Sequence, residues 1–111
     1  MEQTLIKQTQ DHQTSKLNLF KESVKKYLAM SLNEKIKHTI HLVSDPDHRF
    51  MLKKALYSTQ LGDFCREIIC HDINMPTQEE IAQEMKMNQP NVYRRLKKCY
   101  QTARMIIGLD K

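Results

Sequence analysis

PTQEEIAQEMKMNQPNVYRRLKKCY, residues 76–100, holds two short apolar periods separated by a polar break. Pro76-Thr77-Gln78-Glu79-Glu80 is a helix start. The Thr77 side chain can accept from the Glu80 N–H while the Glu80 carboxylate accepts from the Thr77 N–H, a capping box. The acidic pair sits at the positive end of the helix dipole. Ile81 and Met85 then recur at helical spacing, and Ala82 supplies the small residue two steeply crossing helices need where they approach. Met87 plugs the turn. Asn88 is the expected cap of a second helix opened by Gln89 and Pro90, with Val92, Leu96 and Cys99 facing inward.

That inward stripe leaves a polar and basic face. Gln89, Asn91, Arg94, Arg95 and Lys98 are expected outward, with Tyr93 and Lys97 on the flanks. These are the residue types a nucleic-acid reader uses: Arg pairs bidentately with guanine, Asn and Gln with adenine, Lys mainly with phosphate. Charge supports this locally. Residues 1–75 hold eleven Lys/Arg against nine Asp/Glu, whereas residues 88–105 hold Arg94, Arg95, Lys97, Lys98 and Arg104 and no acid. The formal net charge of +5 therefore concentrates in one segment.

The pattern Ile81-Ala82, a turn, then Val92 and Leu96 resembles the helix-turn-helix of sigma-factor region 4 and LuxR-type regulators, over about a fifth of the chain. The resemblance implies a sequence-specific DNA-binding transcription regulator. Those families place Gly in the left-handed turn where this chain has Lys86, a conformation that costs a non-Gly residue about 1 kcal/mol. Size, lysine content and the ending RMIIGLDK are also similar to pathogenicity-island regulators described as MerR-like, although MerR proteins carry their reading domain N-terminally. This second resemblance implies an activator acting at double-stranded promoter DNA with RNA polymerase holoenzyme. It also implies a partner, a stringent-starvation-type protein heterodimer, with guanosine tetraphosphate at that interface and no cofactor bound by the chain alone. The implied location is cytoplasmic, at the bacterial nucleoid.

The rest of the chain reads as helix. Two Gly and three Pro in 111 residues are few for a sheet protein, whose turns draw on both. The expectation is an all-α fold, a small helical domain of five or six helices with a C-terminal helix-turn-helix. Residues 1–15 read as a disordered polar tail without the basic start and apolar run of a secretory signal. No apolar run approaches a membrane span. The helical part, residues 16–75, opens with Leu17, Phe20, Val24, Tyr27 and Leu28 on one face. Asn33 is the expected cap of a second helix carrying Ile36, Ile40 and Val43. Asp45 caps a third at Pro46, with Met51, Leu52, Ala55, Leu56 and Tyr57. Gly62 marks a break, Phe64, Cys65, Ile68 and Ile69 form a further short helix, and residues 71–75 form a connector. The motif spans 76–103.

Residues 104–111 read as a partner-contact segment. The second helix of the motif runs on to Gly108, a C-cap residue. Arg104, Met105, Ile106, Ile107 and Leu109 gather apolar surface at a place where chains are normally polar, so it either docks on the domain or meets a partner.

Other chemistry is weakly signalled. Three cysteines without paired spacing argue against a disulfide framework and for a reducing compartment. Cys65, Cys70 and His71 lack the four-ligand spacing of structural zinc, and Cys65, Cys70 and Cys99 read as small buried hydrophobes, with no metal site. His38, His41 and His48 read as solvated residues of a helix end and turn. With no phosphate loop or nucleophile setting, no enzyme activity is expected. Two other readings fit. One is a dimeric Fis-like nucleoid protein, which residues 20–28, FKESVKKYL, resemble. The other is a protein-interaction adaptor that does not bind DNA.

Overall fold

The computed structural model describes residues 21–108. The polar stretch 1–15, the expected first-helix residues Leu17 and Phe20, and residues 109–111 with Leu109 lie outside them. Helix α1 occupies residues 21–28, followed by α2 (Leu32–Leu42), α3 (Pro46–Leu56), α4 (Asp63–Asn74), α5 (Gln78–Met85) and α6 (Gln89–Ile107). The described residues contain no strand.

Helix starts follow local chemistry, with two departures from expectation. Asp45 caps α3 as expected, accepting from the Asp47 N–H at 2.9 Å, with Pro46 in the first turn, where its missing N–H costs nothing. Helix α2 is capped by Ser31 rather than Asn33. The Ser31 hydroxyl accepts from the Glu34 N–H at 3.3 Å, because Ser31 and Glu34 stand at the cap and third helical positions. Asn88 is the cap residue of α6 but its side chain makes no cap bond. Pro90, at the second helical position, has no N–H, so the Asn91 N–H is the one donor left for a cap there.

Helix α4 is the central element, packed against α2, α5 and α6, while α3 packs on α6 and α2. Ile68, Ile69 and Cys70 are fully buried beside Tyr27, Leu56, Ile81, Val92 and Leu96. Residues 71–74 are therefore the last turn of α4, not the start of a connector. His71 is completely buried, its Nδ1 2.7 Å from the Tyr27 hydroxyl. Its Nε2 has no hydrogen-bond partner and faces the Glu67 carboxylate at 3.6 Å. A carboxylate on that side favours the tautomer protonated at Nε2, so the Tyr27 hydroxyl donates to Nδ1. Burial holds the imidazole below its ordinary pKa and Tyr27 far above its own, consistent with two neutral partners. The Asn74 amide closes the end of α4, donating to Thr39 Oγ1 at 2.8 Å and to the Cys70 carbonyl at 2.8 Å.

Gly62 does mark a break, at φ +83° before the first residue of α4. Arg66 holds the loop ahead of it: Nε donates to the Leu56 carbonyl at 2.7 Å, Nη2 to the Ser58 carbonyl, and Nη1 to Asp63 at 2.6 Å. An end of α3 that lacks intrahelical partners is thereby satisfied by a guanidinium.

The largest correction concerns the cysteines. Cys65 and Cys99 form a disulfide, their Cα atoms 5.3 Å apart across 34 residues of sequence. Spacing rules miss it because the pair is made by the packing of α4 on α6, not by neighbours in sequence. In the chain-entropy account such a loop is worth about 3.8 kcal/mol. Cys70 is the free cysteine among the described residues. It is buried, and burial pushes its thiol pKa up.

Candidate nucleic-acid interface

The two helices of the motif are joined by three residues, Lys86 to Asn88. Thr77 accepts from the Glu80 N–H at 3.2 Å, so half of the expected capping box is present, and no return bond to the Thr77 N–H forms. Lys86 adopts the left-handed conformation, φ 54° and ψ 49°, that the resembling families give to Gly. Its N–H donates to the Gln83 carbonyl at 3.3 Å and the Met87 N–H to the Ala82 carbonyl at 2.8 Å. These two bonds form a Schellman termination, which offsets the strain at Lys86 and turns the chain into α6. Met87 and Met85 pack partly buried against the core.

Behind this turn, Ile81, Ala82, Val92, Leu96 and Cys99 are buried, as their spacing requires. All seven sequence-derived contact residues, Gln89, Asn91, Tyr93, Arg94, Arg95, Lys97 and Lys98, are exposed. They do not form one surface. Helical spacing puts Arg94, Lys97, Lys98 and Gln101 on the stripe opposite Val92, Leu96 and Cys99. Gln101 is the member of this stripe that motif reasoning misses, although its position seven residues after Arg94 assigns it to the same side.

The two flanks differ. On one, Tyr93 and Gln89 border an open cleft of about 480 Å³ with Gln78, Pro90 and Arg94. This cleft brings the start of α5 beside the start of α6. It continues into a second cleft of about 380 Å³ that includes Gln78, Tyr93, Lys97, Gln101 and Arg104. There the Tyr100 hydroxyl donates to Asp72 Oδ2 at 2.7 Å, and burial, then this bond, raises the Tyr100 pKa well above its usual value. On the other flank the Arg95 guanidinium lies 5.6 Å from the centre of the Phe64 ring at the start of α4. Arg95 is one residue from Arg94, hence about 100° around the helix. It therefore engages an aromatic face instead of completing the Arg94 stripe.

Helix α6 is the electrostatically one-sided element of the motif. Residues 88–107 include no acid. The first turn of α6 has neither an acidic side chain nor a bonded cap, so its N–H groups retain their attraction for an anion. Glu79 and Glu80 oppose this at the start of α5.

The apolar end of α6 is divided. Met105 is 66% exposed, whereas Ile106 packs partly buried against the core. Ile107 and Arg104 border a cavity of about 320 Å³ between α3 and α6, beside Met51, Leu52 and Ala55. Gly108, left-handed at φ 82°, ends the helix and donates to the Met105 carbonyl at 3.2 Å. No metal-binding group of three or more His, Cys, Asp or Glu occurs among the described residues. No helix among them is long and apolar enough to cross a membrane. No family model, curated protein or solved structure matches the chain.

Proposed function

We propose that this protein reads double-stranded DNA through α6, presented by the α5–turn–α6 motif. The observation that carries the reading is the combination of the left-handed turn at Lys86 with an acid-free stripe of Arg94, Lys97, Lys98 and Gln101 opposite a fully buried seam. A helix about 10–12 Å across enters a major groove about 12 Å wide. Gln89, Asn91 and Arg94 stand near its leading end, where base edges are reached. Lys97 and Lys98 lie further along, where the groove wall carries phosphates. The exposed Tyr93 and the first-turn N–H groups of α6 border the backbone on the cleft side.

The biological role inferred with this reading is transcription activation at promoters. The resemblance to MerR-like pathogenicity-island regulators supports RNA polymerase and a stringent-starvation-type heterodimer as partners, with guanosine tetraphosphate at their interface. Met105 is the apolar side chain that α6 leaves free for such a contact, since Ile106 and Ile107 engage the domain itself.

Selection of bound sequences from a random duplex pool, followed by titration at several salt concentrations, tests the DNA reading. Arg94→Ala is expected to weaken binding and relax one base position, by about 1–3 kcal/mol. Lys98→Ala is expected to weaken all sequences alike and to lower the salt slope by about 1. Duplex affinity that neither substitution changes would remove α6 as the reader, and absence of duplex binding by the parent would leave an adaptor that does not bind DNA. Met105→Asp separates the partner contact: activation falls while duplex affinity stays at the parental value.

A further inference from the structure

Helices α2 and α3 leave an open groove of about 290 Å³ between them, away from the α5–α6 motif in sequence and sharing no residue with its clefts. It is lined by Lys37, Ile40 and His41 of α2, and by Arg49, Lys53 and Tyr57 at α3 and its C-cap. Three of these six are cationic at neutral pH, one is an imidazole, and none is acidic. Asp45, the carboxylate between the two helices, is engaged elsewhere: it caps the Asp47 N–H and lies 3.4 Å from His48 Nδ1. Arg49 is anchored by its Nε, which donates to the Val43 carbonyl at 2.8 Å, so one cation is held at the α2–α3 connection instead of moving freely.

The groove also has an apolar component. Ile40 packs partly buried against the core, and Tyr57 is 48% exposed at the edge. A cationic rim around an apolar floor differs from a surface made only to meet phosphates. A duplex backbone presents mainly phosphate charge and small sugar C–H groups, and it has no large apolar side chain to bury against Ile40 and Tyr57. A groove between two helices matches the way amphipathic segments are commonly bound, with apolar anchors at helical spacing. The lining runs from Lys37 to His41 and from Arg49 to Tyr57, about 6 Å and about 12 Å of helix, which accommodates about two helical turns of a ligand.

We propose that the α2–α3 groove docks an acidic amphipathic segment of a protein partner. Its apolar side chain rests on Ile40 and Tyr57, and its carboxylates meet Lys37, Arg49 and Lys53. The cationic rim steers the encounter and sets the orientation, while the apolar floor supplies the desolvated anchor. This surface stands independently of DNA reading by α6.

The test uses the full chain and a fluorescein-labelled peptide of about 14 residues with Glu and Leu at helical spacing, followed by anisotropy. Its control has Gln in place of every Glu. The Glu peptide is expected to bind in a salt-sensitive manner and the Gln peptide to bind about tenfold more weakly. Lys37→Glu with Lys53→Glu should weaken the Glu peptide by about tenfold and Tyr57→Ala by about threefold, with duplex affinity unchanged. Saturating duplex should not displace the peptide. Thermal melting monitors folding, and Lys37→Gln with Lys53→Gln replaces the double reversal if that variant unfolds. The proposal is overturned if the charge-reversed groove binds the Glu peptide as the parent does, or if duplex displaces the peptide, which would assign it to α6. Loss of duplex affinity in the groove variants without peptide binding also overturns it, in favour of a second nucleic-acid backbone contact.

Discussion

Helices α4 and α6 carry comparable polar content and use it in opposite ways. In α4 three polar side chains turn inward or onto backbone: His71 meets Tyr27, Asn74 meets Thr39, and Arg66 gathers the Leu56 and Ser58 carbonyls. In α6 the charges stay in water, and only Arg95 engages a neighbouring ring. The difference is one of coverage. Helix α4 is packed by α2, α5 and α6, so its inward polar side chains take partners inside the protein, with His71 Nε2 the buried exception. Helix α6 buries the Val92, Leu96 and Cys99 seam and leaves the opposite stripe open. One helix organises the fold, and the other is free to serve a partner.

That contrast can be broken most severely at Ile68, which is completely buried in α4. Ile68→Ala should cost about 4 kcal/mol of folding stability, read from urea unfolding, with duplex affinity intact for the molecules that remain folded. The tie between the two helices is the Cys65–Cys99 disulfide. Cys65→Ala should lose about 3.8 kcal/mol under non-reducing conditions, and parent and variant should converge once a reductant is added. If their melting curves already coincide without reductant, the cross-link does not stabilise the protein.

A smaller effect separates the two arginines. Arg94→Ala should reduce duplex affinity by about 2 kcal/mol with little change in melting temperature. Arg95→Ala should instead cost about 0.5 kcal/mol of stability through its loss from the Phe64 ring, with a lesser effect on DNA. Reversed results would return Arg95 to the reading face.

The polar interior of α4 also predicts a pH dependence that α6 does not share. Burial depresses the His71 pKa below the ordinary 6.5, so the unfolded chain binds a proton that the folded chain does not. The stabilisation from neutral His71 is complete above about pH 6.5 and declines as pH falls toward the depressed folded value, by at most about 1.4 kcal/mol per pH unit. The melting temperature should therefore fall between pH 7 and 5 by more in the parent than in His71→Gln. Identical slopes would show that His71 is not the titrating group.

Much of α6 is legible in the amino-acid sequence because its determinants are local. The Val92–Leu96–Cys99 spacing, the acid-free segment and Gly108 at its end are each read from adjacent residues. The divided role of Arg94 and Arg95 is not legible there, because only the position of Phe64 on α4 distinguishes two consecutive exposed arginines. The extension of α4 through His71 is hidden for a related reason. A histidine in a polar run reads as a connector until Tyr27, 44 residues earlier, supplies its partner.

The amino-acid sequence by itself determined the all-α class, the α5–turn–α6 motif and the side of α6 that carries charge, since periodicity, caps and composition act within a few residues. Lys86 shows where that authority ends. Its identity argued against a left-handed turn, and the turn forms because the Met87 and Lys86 N–H groups find carbonyls at the end of α5 while Met87 packs against the core. Tertiary structure alone decided the Cys65–Cys99 pair, the buried Tyr27–His71 contact and the α2–α3 groove. Each depends on which helices meet, and burial then fixes the partners that polar groups and sulfur atoms must take.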